Sequence, residues 1–209
     1  RGARVTLLEA EPRVGGRNAD IRLGEYLFDT GPTFLMLRQV LDKVFEEAGV
    51  NFADKLRYQV LDPMYRLVFG GKTLDISSDH ARMKGEIERC FPGKGAQYDR
   101  FLEREQARFE RLFPCLQKPY NRFTTLMHPD MIRALPHLAL GRSLFDVMQG
   151  RFGDPELALT FTFQSKYLGM SPWECPGLFS MIPFIEHAFG IYHVEGGLSR
   201  ISDVMAEEA

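Results

Sequence analysis

The fold class of this chain is set by two neighbouring segments, Arg4-Val5-Thr6-Leu7-Leu8-Glu9-Ala10 and Arg13-Val14-Gly15-Gly16-Arg17. Val5–Leu8 form a short, β-prone and nearly all-apolar run, which predicts a strand buried on both faces of a parallel sheet. The run ends at Glu9. In a dinucleotide-binding fold, a carboxylate at the end of the second strand accepts hydrogen bonds from ribose hydroxyls. These segments therefore predict a nucleotide site.

Two glycines and an arginine follow this strand at short spacing. Because Gly15 and Gly16 lack side chains, the backbone there can approach a bulky ligand or take positive φ. Arg17 supplies a planar cation suited to phosphate. Together with Glu9 they predict a pyrophosphate clamp; the alternative is a plain turn followed by a solvated arginine.

A third segment, Phe28-Asp29-Thr30-Gly31-Pro32-Thr33-Phe34, completes a pattern that resembles the flavin-dependent amine oxidase and phytoene desaturase superfamily. There, a strand ending in Glu-Ala is followed by Arg-Val-Gly-Gly-Arg and later by Gly-Pro-Thr. By this resemblance, Glu9 would bind the adenosine ribose of FAD. The residues along the diphosphate would be Gly15, Gly16 and Arg17. The residues near the flavin would be Gly31, Pro32 and Thr33.

Two later segments narrow the resemblance to one branch. Residues 161–172 and 182–198 are similar to the bacterial-type phytoene desaturases, with their phenylalanine-rich helix, Leu-Gly-x-x-Pro break, Ile-Pro-x-x-Glu-His-Ala-x-Gly helix and strand ending in Gly-Gly. The resemblance implies an α/β fold, with a partial Rossmann-like FAD-binding domain and an α+β substrate domain rich in helices. Its expected boundaries are 1–56 for the FAD-binding domain, 57–195 for the substrate domain and 196–209 for the return to the FAD-binding domain.

The resemblance also implies that the chain is a fragment. The first strand and glycine-rich loop of the usual fold are absent from the sequence, so the fragment itself is expected to be inactive. Gly196-Gly197 predicts a turn into a helix. This turn either contacts the ligand or has no ligand contact, and the sequence favours neither.

Composition excludes several other classes. The 209 residues carry a formal charge of −2 and no basic stripe, so nucleic acid is not an expected partner. The three cysteines lack a Cys-x-x-Cys pair, and the five histidines show no metal-ligand spacing, so we expect reduced thiols and no metal. No apolar run reaches the roughly 20 residues that span a bilayer, and the expected location is cytoplasmic.

Residues 128–148 are apolar with interspersed arginines. They suit either burial or a peripheral contact with a membrane, and Pro136 and Gly141 favour burial because they interrupt an amphipathic face. Elsewhere, the sequence predicts a helix ending at Gly49, a hairpin at Gly70-Gly71, and helices over 81–91 and 97–113. The charged side chains of the helix over 97–113 are expected to be solvated.

Neighbouring helix positions diverge by about 100°, so Glu186 and His187 are expected to be separate polar groups of the core and the surface rather than an acid/base pair. Arg142 is a candidate polar group near the flavin, with a surface or structural role as the alternative. No catalytic residue is assigned.

The chemistry implied by the resemblance is desaturation. A hydride passes from an allylic carbon to the flavin, and a proton leaves the adjacent carbon. A long apolar polyene offers no hydrogen-bonding handle, so its affinity comes from burial of apolar surface. Aromatic residues could line its tunnel, with core packing as the alternative: Phe161, Phe163, Tyr167, Phe179, Phe184, Phe189 and Tyr192.

The sequence therefore predicts FAD-dependent desaturation of phytoene or a related carotenoid precursor. The alternatives are a carotenoid isomerase or other polyene oxidoreductase of the same branch, and a non-catalytic prenyl-binding or escort protein on the same scaffold. Retention of Glu9, Gly16 and Arg17 together disfavours the escort protein, because a scaffold without FAD need not keep ribose and phosphate partners.

Overall fold

The computed structural model of the chain describes residues 4–122 and 127–209, without the side chain of Phe52. The first three residues of the predicted FAD-binding domain lie outside these ranges. The described backbone divides into two compact units, one formed by residues 4–61 and 190–209 and the other by residues 62–122 and 127–189. Among the described residues, no helix is long and apolar enough to cross a membrane.

The strand predicted over Val5–Leu8 is not formed. Residues 4–9 have no regular secondary structure, and the side chains of Val5 and Leu8 are 83% and 89% exposed. A strand of a parallel sheet needs hydrogen-bonded neighbours and a cover on each face. No described strand pairs with this run, so its apolar pattern alone does not order it. This prediction is wrong for the structure.

The first unit begins with a 3-10 turn, Gly16–Asn18, and the antiparallel hairpin β1 (Asp20–Leu23) and β2 (Tyr26–Asp29). Helices α1 (Arg38–Ala48) and α2 (Phe52–Lys55) follow. β3 (Tyr58–Val60) pairs antiparallel with β6 (Tyr192–Val194), which brings the two parts of this unit together. The unit ends with the helix that we number α9, Ser199–Glu208.

The core of the first unit lies between α1, β6 and α9. Its buried side chains include Phe45 from α1, Val194 from β6, and Ile201 and Val204 from α9. Helix α1 ends as predicted, because Gly49 takes φ 85° and its N–H donates to the carbonyls of Phe45 and Glu46.

The second unit begins with the antiparallel hairpin β4 (Tyr65–Phe69) and β5 (Lys72–Ile76), which turns at Gly70 and Gly71 as predicted. Six helices described in this unit follow: α3 (His80–Cys90), α4 (Gly95–Leu116), α5 (Pro129–Ala134), α6 (Leu144–Phe152), α7 (Pro155–Thr160) and α8 (Met181–Phe189). Short 3-10 helices lie at Leu135–His137, Phe163–Leu168 and Gly177–Ser180.

The long helix α4 is the centre of this unit and packs against α3, α5, α6 and α8. Its buried face carries Tyr98 and Phe101, and Phe101 contacts the rings of Phe152 and Phe161. Tyr98 and Phe101 share one face of the helix, and the burial of that face holds α4 in the core of the unit.

The prediction that the charges of α4 are solvated is wrong for two residues. The side chain of Glu105 is fully buried, and Arg108 is only 4% exposed. Both lie on the face that meets α6 and the Gly177–Ser180 turn, where Arg151 and Ser180 bind Glu105. Buried charges are tolerated when they pair with one another, and mixed charge along a helix does not reveal which of them are paired.

The apolar segment 128–148 is divided between core and surface. Ala134, Leu144 and Met148 are buried, whereas Leu135 and Leu140 are 50% and 75% exposed. Pro136 lies in the 3-10 helix that follows residues 129–134, and Gly141 takes φ 72°, so the segment is not one continuous amphipathic helix.

Candidate functional site

Gly15 and Gly16 form a backbone turn that a side chain would strain. Their φ angles are 117° and 53°, in the region that favours glycine. The Asn18 N–H donates to the Gly15 carbonyl at 2.8 Å, which closes the 3-10 turn. A Cβ at Gly16 would meet nothing within 4 Å, so its backbone faces open space. The predicted conformation of this loop is confirmed.

Arg17 and Gly31 are brought together by the fold. A Cβ on Gly31 would lie 2.4 Å from the Arg17 carbonyl oxygen, so the close approach of the two backbones requires glycine at position 31. Arg17, Pro32 and Thr33 are exposed. Among the described residues, no carboxylate forms an ion pair with Arg17, whereas Arg13 is paired with Asp20 at 2.8 Å. The Arg17 guanidinium is therefore available to an anion.

Asn18 and Asp29, which the sequence analysis did not single out, hold this loop against the start of α9. The Asn18 amide donates to the Leu198 carbonyl at 2.8 Å and to the Ser202 hydroxyl at 3.0 Å. Asp29 Oδ1 accepts from the Leu198 N–H at 3.1 Å. The only sequence signal for these roles is that Asn18 follows the Gly-Gly-Arg motif directly.

The turn predicted at Gly196-Gly197 lies beside the same loop. Gly197 has φ 91°, and a Cβ there would be 2.9 Å from Asp29 Oδ1. The turn is confirmed, and it brings three glycine-containing segments of the first unit together: 15–18, 29–33 and 196–198.

Glu9 is exposed, and its described hydrogen bond is not to any of these three segments. Its Oε1 accepts the Glu11 N–H at 3.0 Å. Among the described residues, no hydrogen bond or ion pair joins Glu9 to Gly15, Gly16 or Arg17. The structure thus brings together the glycines and Arg17 of the predicted site, but not Glu9.

These residues fit a dinucleotide such as FAD. The open backbone at Gly16 and the unpaired Arg17 guanidinium suit a diphosphate, and the exposed Glu9 carboxylate suits ribose hydroxyls. Asn18 Oδ1 is buried without a hydrogen-bond partner in the described chain, which leaves an acceptor beside the loop.

A second polar cluster lies inside the other unit, around Glu186 of α8. Its Oε2 accepts from the Tyr65 hydroxyl at 3.0 Å and from the Gln164 amide at 2.6 Å. Its Oε1 accepts from the Tyr167 hydroxyl at 3.0 Å. Burial raises the pKa of Glu186, and these hydrogen bonds offset part of that effect.

His187 faces different partners from Glu186, as the helix geometry predicted. Its Nδ1 lies 3.2 Å from the Tyr98 hydroxyl, and its ring stacks on Phe161. Burial lowers the pKa of His187 to about 3, so this ring is neutral at pH 7. The expectation that one of the pair lies at the surface is wrong, because both side chains are buried.

The glycine loop is typical of a nucleotide-binding enzyme, and comparison with known sequences identifies the family. The chain belongs to the flavin containing amine oxidoreductase family, whose sequence profile matches residues 1–209. The predicted flavin cofactor is thereby confirmed at the level of the family, with FAD as the form that the resemblance implied.

Individual relatives are carotenoid enzymes, as the sequence analysis predicted. The chain is 43% identical to a 4,4'-diapophytoene desaturase (4,4'-diapolycopene-forming) of Methylomonas sp, over 99% of this chain and 40% of the relative. It is 30% identical to a phytoene desaturase of Cercospora nicotianae, over 99% and 34%. It is 28% identical to a 4,4'-diapolycopene oxygenase of Methylomonas sp, over 100% and 42%. The chain therefore spans about 40% of the length of these relatives.

Proposed function

We propose that the full-length protein is an FAD-dependent desaturase of phytoene or a related carotenoid precursor such as 4,4'-diapophytoene. The observation that carries this proposal is the 43% identity to a 4,4'-diapophytoene desaturase along nearly the whole chain. The glycine loop supports it, because its geometry fits the diphosphate of the family's cofactor. Carotenoid biosynthesis is the process in which such an enzyme acts.

In this proposal, residues 1–56 and 196–209 belong to a Rossmann-like FAD-binding domain, and residues 57–195 to a substrate domain. Glu9 binds the ribose; Gly15, Gly16 and Arg17 hold the diphosphate; and Gly31, Pro32 and Thr33 lie beside the flavin. FAD, when bound, supplies a hydride acceptor for the allylic carbon of the substrate. The role of these residues is to fix the position of that acceptor.

The polyene is held by apolar side chains of the substrate domain. Of the aromatic residues considered, Phe161 and Phe184 are buried in the core, which favours a structural role for them. Side chains that remain accessible are better candidates for the walls of the substrate site; they include Tyr167, Leu168, Met170 and Trp173. Their burial by a polyene would favour binding at about 25 cal/mol per Å².

We also propose that the protein makes a peripheral contact with a membrane. Its candidate surface consists of the exposed apolar side chains Ile132, Leu135 and Leu140, with Arg133 among them. Such a surface suits the interface between lipid headgroups and acyl chains. Flotation of the full-length protein with liposomes tests it, and recovery only in the aqueous fraction would exclude this contact.

The function is tested by expression of the full-length protein in two bacterial strains, one accumulating phytoene and one 4,4'-diapophytoene. Extracted pigments are then separated by chromatography and identified by their absorption spectra. We expect longer conjugated polyenes in at least one strain, and a loss of that product with Arg17→Glu, which repels the diphosphate. Exposed Arg100→Glu is the matched control. An unchanged polyene in both strains would contradict the proposal.

A second candidate is oxidation of an already desaturated polyene, because a 4,4'-diapolycopene oxygenase is also a relative, at 28% identity. The two functions differ in the substrate consumed. Supply of 4,4'-diapolycopene to the same cells would yield an oxygen-containing product under the second function and no new product under the first. Isomerisation without desaturation would leave the number of double bonds unchanged.

A further inference from the structure

The second unit contains a cavity of about 610 Å³ that four arginines line: Arg104 and Arg108 of α4, Arg142 before α6, and Arg151 of α6. This volume lies in the range of about 300–1,000 Å³ that is common for small-molecule sites. In the part of the chain that the structure describes, no acidic side chain lines the cavity. The lining is therefore strongly positive.

The nearby carboxylates do not neutralise this charge. Glu105 lies buried behind the wall and accepts from Arg151 Nη2 at 2.8 Å and from Arg108 Nη1 at 3.3 Å, so one carboxylate serves two guanidiniums. Arg104 and Arg142 form no ion pair with a described carboxylate; Arg142 Nη2 donates to the Asp146 backbone carbonyl at 2.7 Å. Glu105 is the one described carboxylate that forms ion pairs with these arginines, so the four arginines and Glu105 together carry a net charge of +3. The Asp146 carboxylate acts on Arg142 without forming an ion pair with it and offsets part of this charge.

One of these guanidiniums has an unused donor. Arg108 Nε donates to the His137 carbonyl at 2.6 Å, and Nη1 binds Glu105 and Ser180. Its Nη2 is buried and has no hydrogen-bond partner in the described chain. Burial lowers the pKa of Arg108, Glu105 counteracts this, and the charges of Arg151 and Arg142 lower it further. An additional anion beside Arg108, Arg142 and Arg151 would relieve the repulsion between these like charges.

Apart from His137, the other residues that line the cavity are apolar, with Leu135, Pro136, Leu140 and Val147 among them. Guanidinium forks match the oxygens of phosphate, and the apolar walls suit a hydrocarbon group attached to it. We propose that this cavity binds a phosphate-bearing anion, held by Arg104 and Arg142 and backed by the charges of Arg108 and Arg151. The source is either a phospholipid headgroup or free phosphate.

Isothermal titration calorimetry on the full-length, FAD-loaded protein tests this proposal with three probes: dihexanoyl phosphatidic acid, dihexanoyl phosphatidylcholine and inorganic phosphate. We expect phosphatidic acid to bind, and its affinity to fall at least about tenfold in R104Q/R142Q. The control is R100Q/R111Q, which removes the same charge from exposed positions of α4 that do not line the cavity. Binding to this control should be unchanged.

The probes also distinguish the two sources. Inorganic phosphate that binds as tightly as phosphatidic acid would assign the cavity to free phosphate, whereas a clear preference for phosphatidic acid over both other probes would assign it to an anionic lipid headgroup. The proposal is overturned if neither anion binds wild-type protein, or if the two double variants lose the same affinity. R104Q alone, at an exposed position, gives the same comparison if R104Q/R142Q does not fold.

Discussion

Glu105 carries more buried ionic contacts than any acidic residue considered above. It is fully buried and binds two guanidiniums and the Ser180 hydroxyl. Removal of one partner leaves uncompensated charge in the core, which typically costs about 3–5 kcal/mol. We therefore expect Glu105→Ala to lower the free energy of unfolding by about that amount, measured by urea denaturation of the full-length protein.

The matched control for this substitution is Glu103→Ala. Glu103 lies two positions away on the exposed side of the same helix, so its loss should change the free energy of unfolding by less than about 0.5 kcal/mol. Equal effects of the two substitutions would show that the buried cluster contributes no more than surface charge does.

His187 should make stability depend on pH. Its pKa is about 3 in the folded state, against an ordinary value of 6.5. Between these values the unfolded chain binds the additional proton, so the free energy of unfolding is highest above about pH 6.5 and falls as pH decreases. At about pH 5 this residue should account for a loss of about 2 kcal/mol relative to pH 7. Urea unfolding at the two pH values measures it.

The His187→Gln variant isolates this effect. Its free energy of unfolding should fall less between pH 7 and about pH 5 than that of the wild type, even if its value at pH 7 is lower. Glu186 acts in the opposite direction, because its raised pKa makes the folded state bind the additional proton as pH falls toward its ordinary value of 4.5. Parallel pH dependence of variant and wild type would contradict the role of His187.

At the scale of residues, the sequence predicted the cofactor loop better than the buried charges. Gly15, Gly16 and Arg17 form a local motif whose backbone geometry follows from the residue types themselves. Glu105 and Arg108 do not, because their burial depends on Arg151 and Ser180, which are distant in sequence. The sequence pattern of alternating charges on a helix is the same whether the charged side chains pair with other protein groups or are hydrated.

At the scale of elements, the start of α6 depends on a capping box. The Ser143 hydroxyl accepts from the Asp146 N–H at 3.1 Å, and the Asp146 carboxylate accepts from the Ser143 N–H at 3.0 Å. Loss of such a cap typically costs about 1 kcal/mol. We expect Ser143→Ala to lower the midpoint of urea unfolding by a corresponding amount, and Ser143→Thr to retain most of the stability. Indistinguishable midpoints for the two variants would contradict this role of the hydroxyl.

Elements bounded by local signals were predicted well. The glycine cap at Gly49 and the Gly70-Gly71 hairpin turn each require positive φ, and glycine at these positions indicates that conformation directly. The run Val5–Leu8 has an equally clear pattern but no strand. The difference lies in what stabilises each element: a cap or a tight turn satisfies its own backbone, whereas a strand needs partners from elsewhere.

At the scale of the whole molecule, the chain divides into two compact units that differ in the features they carry. The first collects the glycine segments suited to the cofactor, and the second carries the aromatic core and the arginine-lined cavity. The resemblance predicted a division into cofactor and substrate domains, and those assignments stay a proposal. Affinity for FAD is the property that links the site residues most directly to the family.

The central claim is therefore tested by the FAD affinity of the full-length protein, measured by flavin fluorescence titration after removal and return of the cofactor. We predict that wild type and Gly85→Ala, where a Cβ meets nothing within 4 Å, bind FAD equally well. Gly31→Ala should bind at least about tenfold more weakly, because its Cβ would lie 2.4 Å from the Arg17 carbonyl oxygen and displace the loop. A wild-type protein that takes up no FAD, or an unchanged affinity in Gly31→Ala, would contradict the account.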